Sequence, residues 1–208
     1  MVDLSLASVH LHLISMHTSP LAQPGTGDAG GMNVYIDRSL RALLKRYPQL
    51  SVEVFTLDTA CNGAPTTERV SDRAIVHSLY LPEAACASKE NLPKFVPAFA
   101  QAIRESAVRQ PDIVHAHYWL SGLAALEYAP NLPLVQTMHT TAAAKNTRLA
   151  TGEKPEPQIR LEGEQRLIDT VSALVVNTGF EAQQIRDLYA ADPRRLKVIT
   201  PGVETGIF

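Results

Sequence analysis

Cysteine is scarce in this chain: two residues, Cys61 and Cys86, among 208. Both lie in polar, loop-like stretches, and their spacing fits neither a zinc nor a redox motif. They are expected as reduced thiols of a cytoplasmic protein. Charge of one sign is lacking too. Nineteen Lys and Arg face 21 Asp and Glu, for a net charge of −2. No global basic field exists to hold nucleic acid or an anionic membrane, so any anion must bind at a local site. No apolar run approaches the ~20 residues of a membrane-spanning helix. The run "LASVHLHLIS" near the N-terminus is short, follows Asp3 rather than positive charge, and carries two histidines; it reads as a buried strand, not a signal peptide. Gly-Lys-Ser/Thr is absent, which excludes a P-loop. There is no internal repeat and no low-complexity tract.

What the chain does contain is apolar residue in quantity, 45% against 19% charged, enough for a sizeable core in one α/β domain or two small ones. Short apolar runs at 6–15, 51–57, 74–81, 112–118, 132–139, 173–178 and 196–200 read as strands. Most are nearly continuous in apolar residues, as in parallel strands buried on both faces. Helical periodicity lies between them: Ile36, Leu40, Leu43, Leu44 and Tyr47 on one face of a helix starting near Asn33, and Leu92, Phe95, Val96, Phe99 and Ile103 on another. "PQIRLEGEQRLIDTV" and "GFEAQQIRDLY" supply two more, the last with Asn177 or Thr178 as N-cap. Residues 58–72 read as a loop. The pattern predicts an α/β fold, a doubly wound, Rossmann-like open parallel sheet.

In such sheets ligands sit beyond the carboxyl ends of the strands. "SMHTSPLAQPGTGDAGG" follows the first strand, "HAHYWLSG" ends the fourth and "MHTTAAAKN" ends the fifth. Gly30-Gly31 opens a helix, whose first amides lack internal partners and carry partial positive charge. Without Cβ atoms there, a phosphate or sugar can reach those amides. The dinucleotide fingerprint is a competing reading. Gly25 and Gly27 begin it, but the loop is too long and no acid ends the second strand where one is expected, Asp58 being the nearest. A surface loop without ligand is the plainer alternative.

Together with "GEQRLIDTVSALVVNT" and "ADPRRLKVITPGVETGIF", these motifs make the chain resemble the N-terminal half of a retaining glycosyltransferase of the two-Rossmann-domain (GT-B) type, glycosyltransferase family 4. The resemblance runs over nearly the whole chain. It implies transfer from a nucleotide sugar, UDP-N-acetylglucosamine, to a phosphorylated polyol such as an inositol phosphate, without cofactor or metal. Residues 1–208 would be the acceptor-side domain, with the C-terminal nucleotide-sugar domain absent. A family member with another acceptor, of sucrose-phosphate synthase or mannosyl transferase type, and a noncatalytic sugar-phosphate-binding module are the alternatives. A homodimer is compatible with the sequence.

By the same resemblance, Lys89, Tyr118, Thr140 and Arg160 hold the acceptor phosphate, a set that joins a planar guanidinium, a point charge and two hydroxyls. His17 contacts the acceptor. His139 reaches the donor sugar and, with Gly30 and Gly31, forms the catalytic set. Gln23 and Pro24 lie near the donor; Asp28, Ala29, Gly30, Gly31, Met32 and Asn33 close over both substrates, Asp28 and Asn33 through inositol hydroxyls and Gly31 through its amide on the diphosphate. Taken singly, Lys89 and Arg160 are ordinary surface charges, Tyr118 and Thr140 packing or turn residues, and the histidines core residues. "EAACASKENLP" is poorer in glycine than the family pattern, and Ala116 stands where serine is common. His10-x-His12 and His115-x-His117 each place two imidazoles on one face of a strand, but no acid or cysteine joins them at ligand spacing, so neither reads as a metal site. Glu162 and Glu164 lie two apart on a helix and do not form a hydrolase pair.

Overall fold

The computed structural model describes residues 8–23, 25, 30–58 and 63–202. Pro24, Asp28, Ala29, Cys61 and the C-terminal "VETGIF" lie outside the described residues. In chain order the elements are β1 (Val9–Ile14), α1 (Gly31–Arg46), β2 (Leu50–Leu57), β3 (Thr66–Ser71), β4 (Ala74–Leu79), α2 (Val96–Ser106), β5 (Ile113–His117), α3 (Trp119–Tyr128), β6 (Leu134–Thr137), α4 (Ala142–Asn146), α5 (Gln158–Thr170), β7 (Ala173–Val176), α6 (Gly179–Tyr189) and β8 (Leu196–Val198). A 3-10 turn over Lys89–Phe95 leads into α2. The eight strands form one sheet in the order β3-β4-β2-β1-β5-β6-β7-β8. All pairs are parallel except β3 with β4. The expected parallel sheet is present, with one antiparallel edge added.

Strand alternation divides the core. Leu11, Leu13, Val52, Val54 and Val76 face α1, where Ile36, Leu40 and Leu44 are buried. Each such aliphatic contributes about 1.5–3 kcal/mol by leaving water. Ile14, Phe55, Val114 and Ala116 face the opposite layer, with Phe99, Ile103, Leu120 and Leu167 from α2, α3 and α5. The last predicted helix has Thr178 as N-cap, its hydroxyl accepting from the Glu181 amide at 3.1 Å.

Two elements differ from expectation. β3 lies inside the predicted loop; its "TTERVS" is almost wholly exposed, so no apolar alternation marks it. α3 is buried on most sides, from Trp119 and Leu120 to Ala125 and Tyr128, and a helix apolar all round shows no amphipathic period. Gly122 and Gly163 let α3 pack closely: a Cβ on Gly122 would meet Gln136 Oε1 at 2.2 Å and Leu167 at 2.7 Å, and one on Gly163 would meet the Trp119 ring at 3.0 Å. The thiol expectation is also corrected, because Cys86 is disulfide-bonded. Among the described residues no helix is long and apolar enough to cross a membrane.

Candidate functional site

Parallel strands send their carboxyl ends to one edge, and the predicted motifs meet there. β5 ends into Tyr118 and β6 into His139, both with positive φ, 73° and 61°. Non-glycine residues rarely hold such a backbone, and the strain of roughly 1–3 kcal/mol persists where the surroundings enforce it. At Tyr118 the enforcing contacts are the amide bond to Thr137 O at 2.8 Å and the carbonyl bonds from the Gln136 amide and the Gly122 N–H, both at 3.1 Å.

Around that ring stand Lys89, Arg160 and, through Arg160, Thr140. Lys89 Nζ lies 5.7 Å from the Tyr118 ring centre and Arg160 Cζ lies 5.0 Å from it. An Arg160 terminal nitrogen donates to the Thr140 hydroxyl and carbonyl, each at 3.1 Å. His17 packs its ring 4.5 Å from that of Tyr118. Lys89 and Thr140 are exposed, and Tyr118 and Arg160 are buried. Arg160 is thus no surface charge. Its Nε donates to Glu164 at 2.7 Å and another nitrogen pairs with Glu156 at 2.9 Å. Burial pulls its pKa down, but Glu164 foremost, then Tyr118 and Glu156, hold it above its ordinary value. Glu164 in turn accepts from the Ala142 amide at 2.8 Å and from the Tyr189 hydroxyl, which fixes α4 and α6 to α5. Glu156 escaped the sequence reading, and Glu164 was weighed only as a partner of Glu162, although it stands four residues from Arg160 on α5, the spacing that brings side chains together on a helix.

The α1 mouth borders the same edge. Gly30 offers no capping side chain, and a Cβ on Gly30 or Gly31 would meet nothing within 4 Å. Neither has positive φ, so the backbone does not demand glycine here. Gly31 is exposed and Met32 half-buried; Gln23 is exposed at the far end of the preceding loop. Asn33 is turned inward. It is 1% exposed, donates to the Thr18 hydroxyl at 2.6 Å and to the Ser19 carbonyl, and accepts from the Gly30 amide at 3.2 Å. Both donors shape the loop.

His139 closes the group. Its Nε2 lies 3.0 Å from His117 Nδ1, and Tyr35 of α1 stands edge-on 5.4 Å away. Burial pushes His139 down to about 4 and His117 well below its ordinary range; His115 falls to about 4 through burial and then His139. At neutral pH these imidazoles are uncharged hydrogen-bonding groups. Beyond His139 and Thr140 opens a cleft of about 690 Å³, walled further by Lys145, Arg148 and Asn177. Its size suits a small-molecule ligand.

The Glycosyltransferase Family 4 profile matches residues 29–206. D-inositol 3-phosphate glycosyltransferase of Jonesia denitrificans is 45% identical over 202 residues, covering 94% of this chain and 47% of the relative. Its namesake from Mycobacterium tuberculosis is 46% identical over 204 residues, covering 94% and 42%. The chain therefore spans less than half the length of these curated relatives. Among solved structures, sucrose-phosphate synthase from Thermosynechococcus elongatus superposes with a TM-score of 0.85 at 22% identity, over 96% of this chain and 50% of that one. The catalytic domain of starch synthase IV from Arabidopsis thaliana gives 0.56 at 12%, over 96% and 53%. At these identities the likeness concerns the fold.

Proposed function

The chain belongs to glycosyltransferase family 4, and from that membership we propose that it forms the acceptor-side half of a retaining transferase. That enzyme moves N-acetylglucosamine from UDP-N-acetylglucosamine to an inositol phosphate. The observation that carries this reading is the gathering of Lys89, Tyr118, Thr140 and Arg160 around one aromatic ring beside the open helix mouth. An exposed ammonium and two hydroxyls, with the Arg160 guanidinium fixed beside them by Glu156, Glu164 and Thr140, supply the donor types that recognise a phosphate. Names of the relatives at 45–46% identity support an inositol phosphate as its bearer.

In this mechanism the acceptor phosphate docks on Lys89, Tyr118, Thr140 and Arg160, with His17 against the polyol. The donor sugar lies over His139, whose neutral ring hydrogen-bonds its hydroxyls, and uses the cleft beyond. The diphosphate meets the Gly31 amide at the helix mouth, where the helix dipole stabilises the charge that grows as the glycosidic bond breaks. The leaving diphosphate oxygen takes the acceptor hydroxyl proton on the same face, so no protein nucleophile is required. The protein contributes position and electrostatics. The nucleotide itself is held by a second domain, corresponding to the remainder of the longer relatives.

Calorimetry with inositol 3-phosphate and the full 208-residue chain tests the reading. Binding should weaken about 10- to 150-fold in Lys89→Ala, the 1.5–3 kcal/mol of a lost charged hydrogen bond. Equal affinity for phosphorylated and unphosphorylated inositol would refute it.

A further inference from the structure

At the opposite, amino edge of the sheet lies a cluster that this transfer chemistry does not use. The register pairs His12 with Glu53 and His10 with Ser51 across β1 and β2, all four on the α2–α3 side. The acid missing from the linear spacing of His10-x-His12 is therefore supplied by the neighbouring strand. Glu53 Oε1 lies 2.9 Å from His10 Nε2 and 3.7 Å from His12 Nε2. The three ligand atoms fall within 4.8 Å of one another, and all three residues are buried.

We propose that His10, His12 and Glu53 form a zinc-class divalent metal site, structural in role. Each ligand is already oriented from behind. His10 Nδ1 lies 2.7 Å from the Ser51 hydroxyl and His12 Nδ1 lies 3.0 Å from the Tyr128 hydroxyl, which leaves both Nε2 atoms directed at Glu53. Partners on the outer ring nitrogen are what metal-bound imidazoles have. Glu53 is held by the Val108 and Arg109 amides at 2.9 and 3.1 Å and by His77 Nε2 at 2.9 Å on its second oxygen. His12 Nε2 is the odd atom. It is fully buried and has no hydrogen-bond partner, an unusual cost for a polar nitrogen in a dry core. A triangle with these edges has a centre no more than about 2.4 Å from each corner, close to the ~2.0–2.2 Å of zinc bonds to nitrogen and carboxylate oxygen. The donor set, two imidazoles and one carboxylate, suits zinc, with His77 beside it. A cation there joins β1 to β2 and, through Tyr128 and the Val108–Arg109 amides, ties down the chain ends of α3 and α2.

The test uses the untagged 208-residue chain, stripped by chelator dialysis and titrated with cobalt(II) and then zinc. One equivalent of cobalt should bind with the intense visible bands of low-coordinate N/O ligation, zinc should displace it, and zinc should raise the melting temperature. His12→Phe, which keeps a ring against Phe55 and Tyr128, should weaken cobalt binding by more than about tenfold; His10→Gln is the second variant if the first does not fold. Absence of a stoichiometric equivalent, or equal binding by wild type and by a folded His12→Phe or His10→Gln, would leave the cluster a hydrogen-bonded carboxylate and overturn the proposal. Inositol phosphate binding is read separately and is independent of the result.

Discussion

Arg160 illustrates how one side chain can serve the fold and the site together. Its guanidinium is buried against Glu164, itself 0% exposed, and against Glu156. Arg160→Met strands a buried carboxylate, which typically costs about 3–5 kcal/mol; chemical denaturation should show a loss of that order together with loss of phosphate binding. Lys89→Ala, by contrast, is exposed and should change affinity while leaving stability nearly intact. The histidines carry the pH response. His115 and His139 sit at about 4 in the fold against 6.5 when unperturbed, burial being the main cause in both. Above pH 6.5 they are neutral, folded or unfolded, and add no slope. Between 6.5 and 4 the unfolded chain binds more protons, so stability should fall as pH falls across that window and level off below it. Melting temperatures from pH 7 to 4 measure this, and His139→Gln should shallow the slope.

At the scale of elements, two pairs of glycines behave oppositely. Gly122 lets α3 approach β6 and α5, and Gly122→Ala would drive a methyl into Gln136 and Leu167. Overpacking of this kind typically costs about 1–3 kcal/mol, so a clear drop in melting temperature is expected. Gly31 opens α1 with nothing near its missing Cβ. Gly31→Ala should leave the fold as stable or slightly more so, since alanine is the better helix former, while weakening any ligand that needs the helix mouth. Urea denaturation beside calorimetry separates the two: a site glycine moves affinity alone, a packing glycine moves stability. The helix mouth is kept in place by Asn33, whose side chain ties α1 back to Thr18 and Ser19. The same ties leave Asn33 almost wholly buried.

For the whole molecule, the Tyr118 cluster lines one edge of the sheet and the histidine–glutamate cluster the other, the α/β core standing between them. Sites so placed report separately, and zinc should change the melting temperature without altering acceptor affinity. The chain covers less than half the length of its curated relatives. The proposed reading assigns nucleotide binding and closure to a second domain, so the 208-residue chain alone should bind acceptor yet show little or no transfer from UDP-N-acetylglucosamine, as a product-release assay would register. Robust turnover by residues 1–208 would contradict that division of labour.

The sequence by itself determined the parallel sheet, four of its helices and the glycine-rich mouth of α1, because apolar periodicity and unusual turn residues act locally and leave local marks. The edge strand β3 and the buried helix α3 carry no such period, one being exposed throughout and the other apolar on most sides. Only the tertiary structure decided what meets what. Strand register brought Glu53 to His10 and His12, a left-handed backbone turned Tyr118 toward Lys89 and Arg160, and packing buried Asn33 and Arg160. Each of those outcomes depends on residues far apart in the chain, whose proximity is set by burial of the sheet faces rather than by any spacing along the sequence.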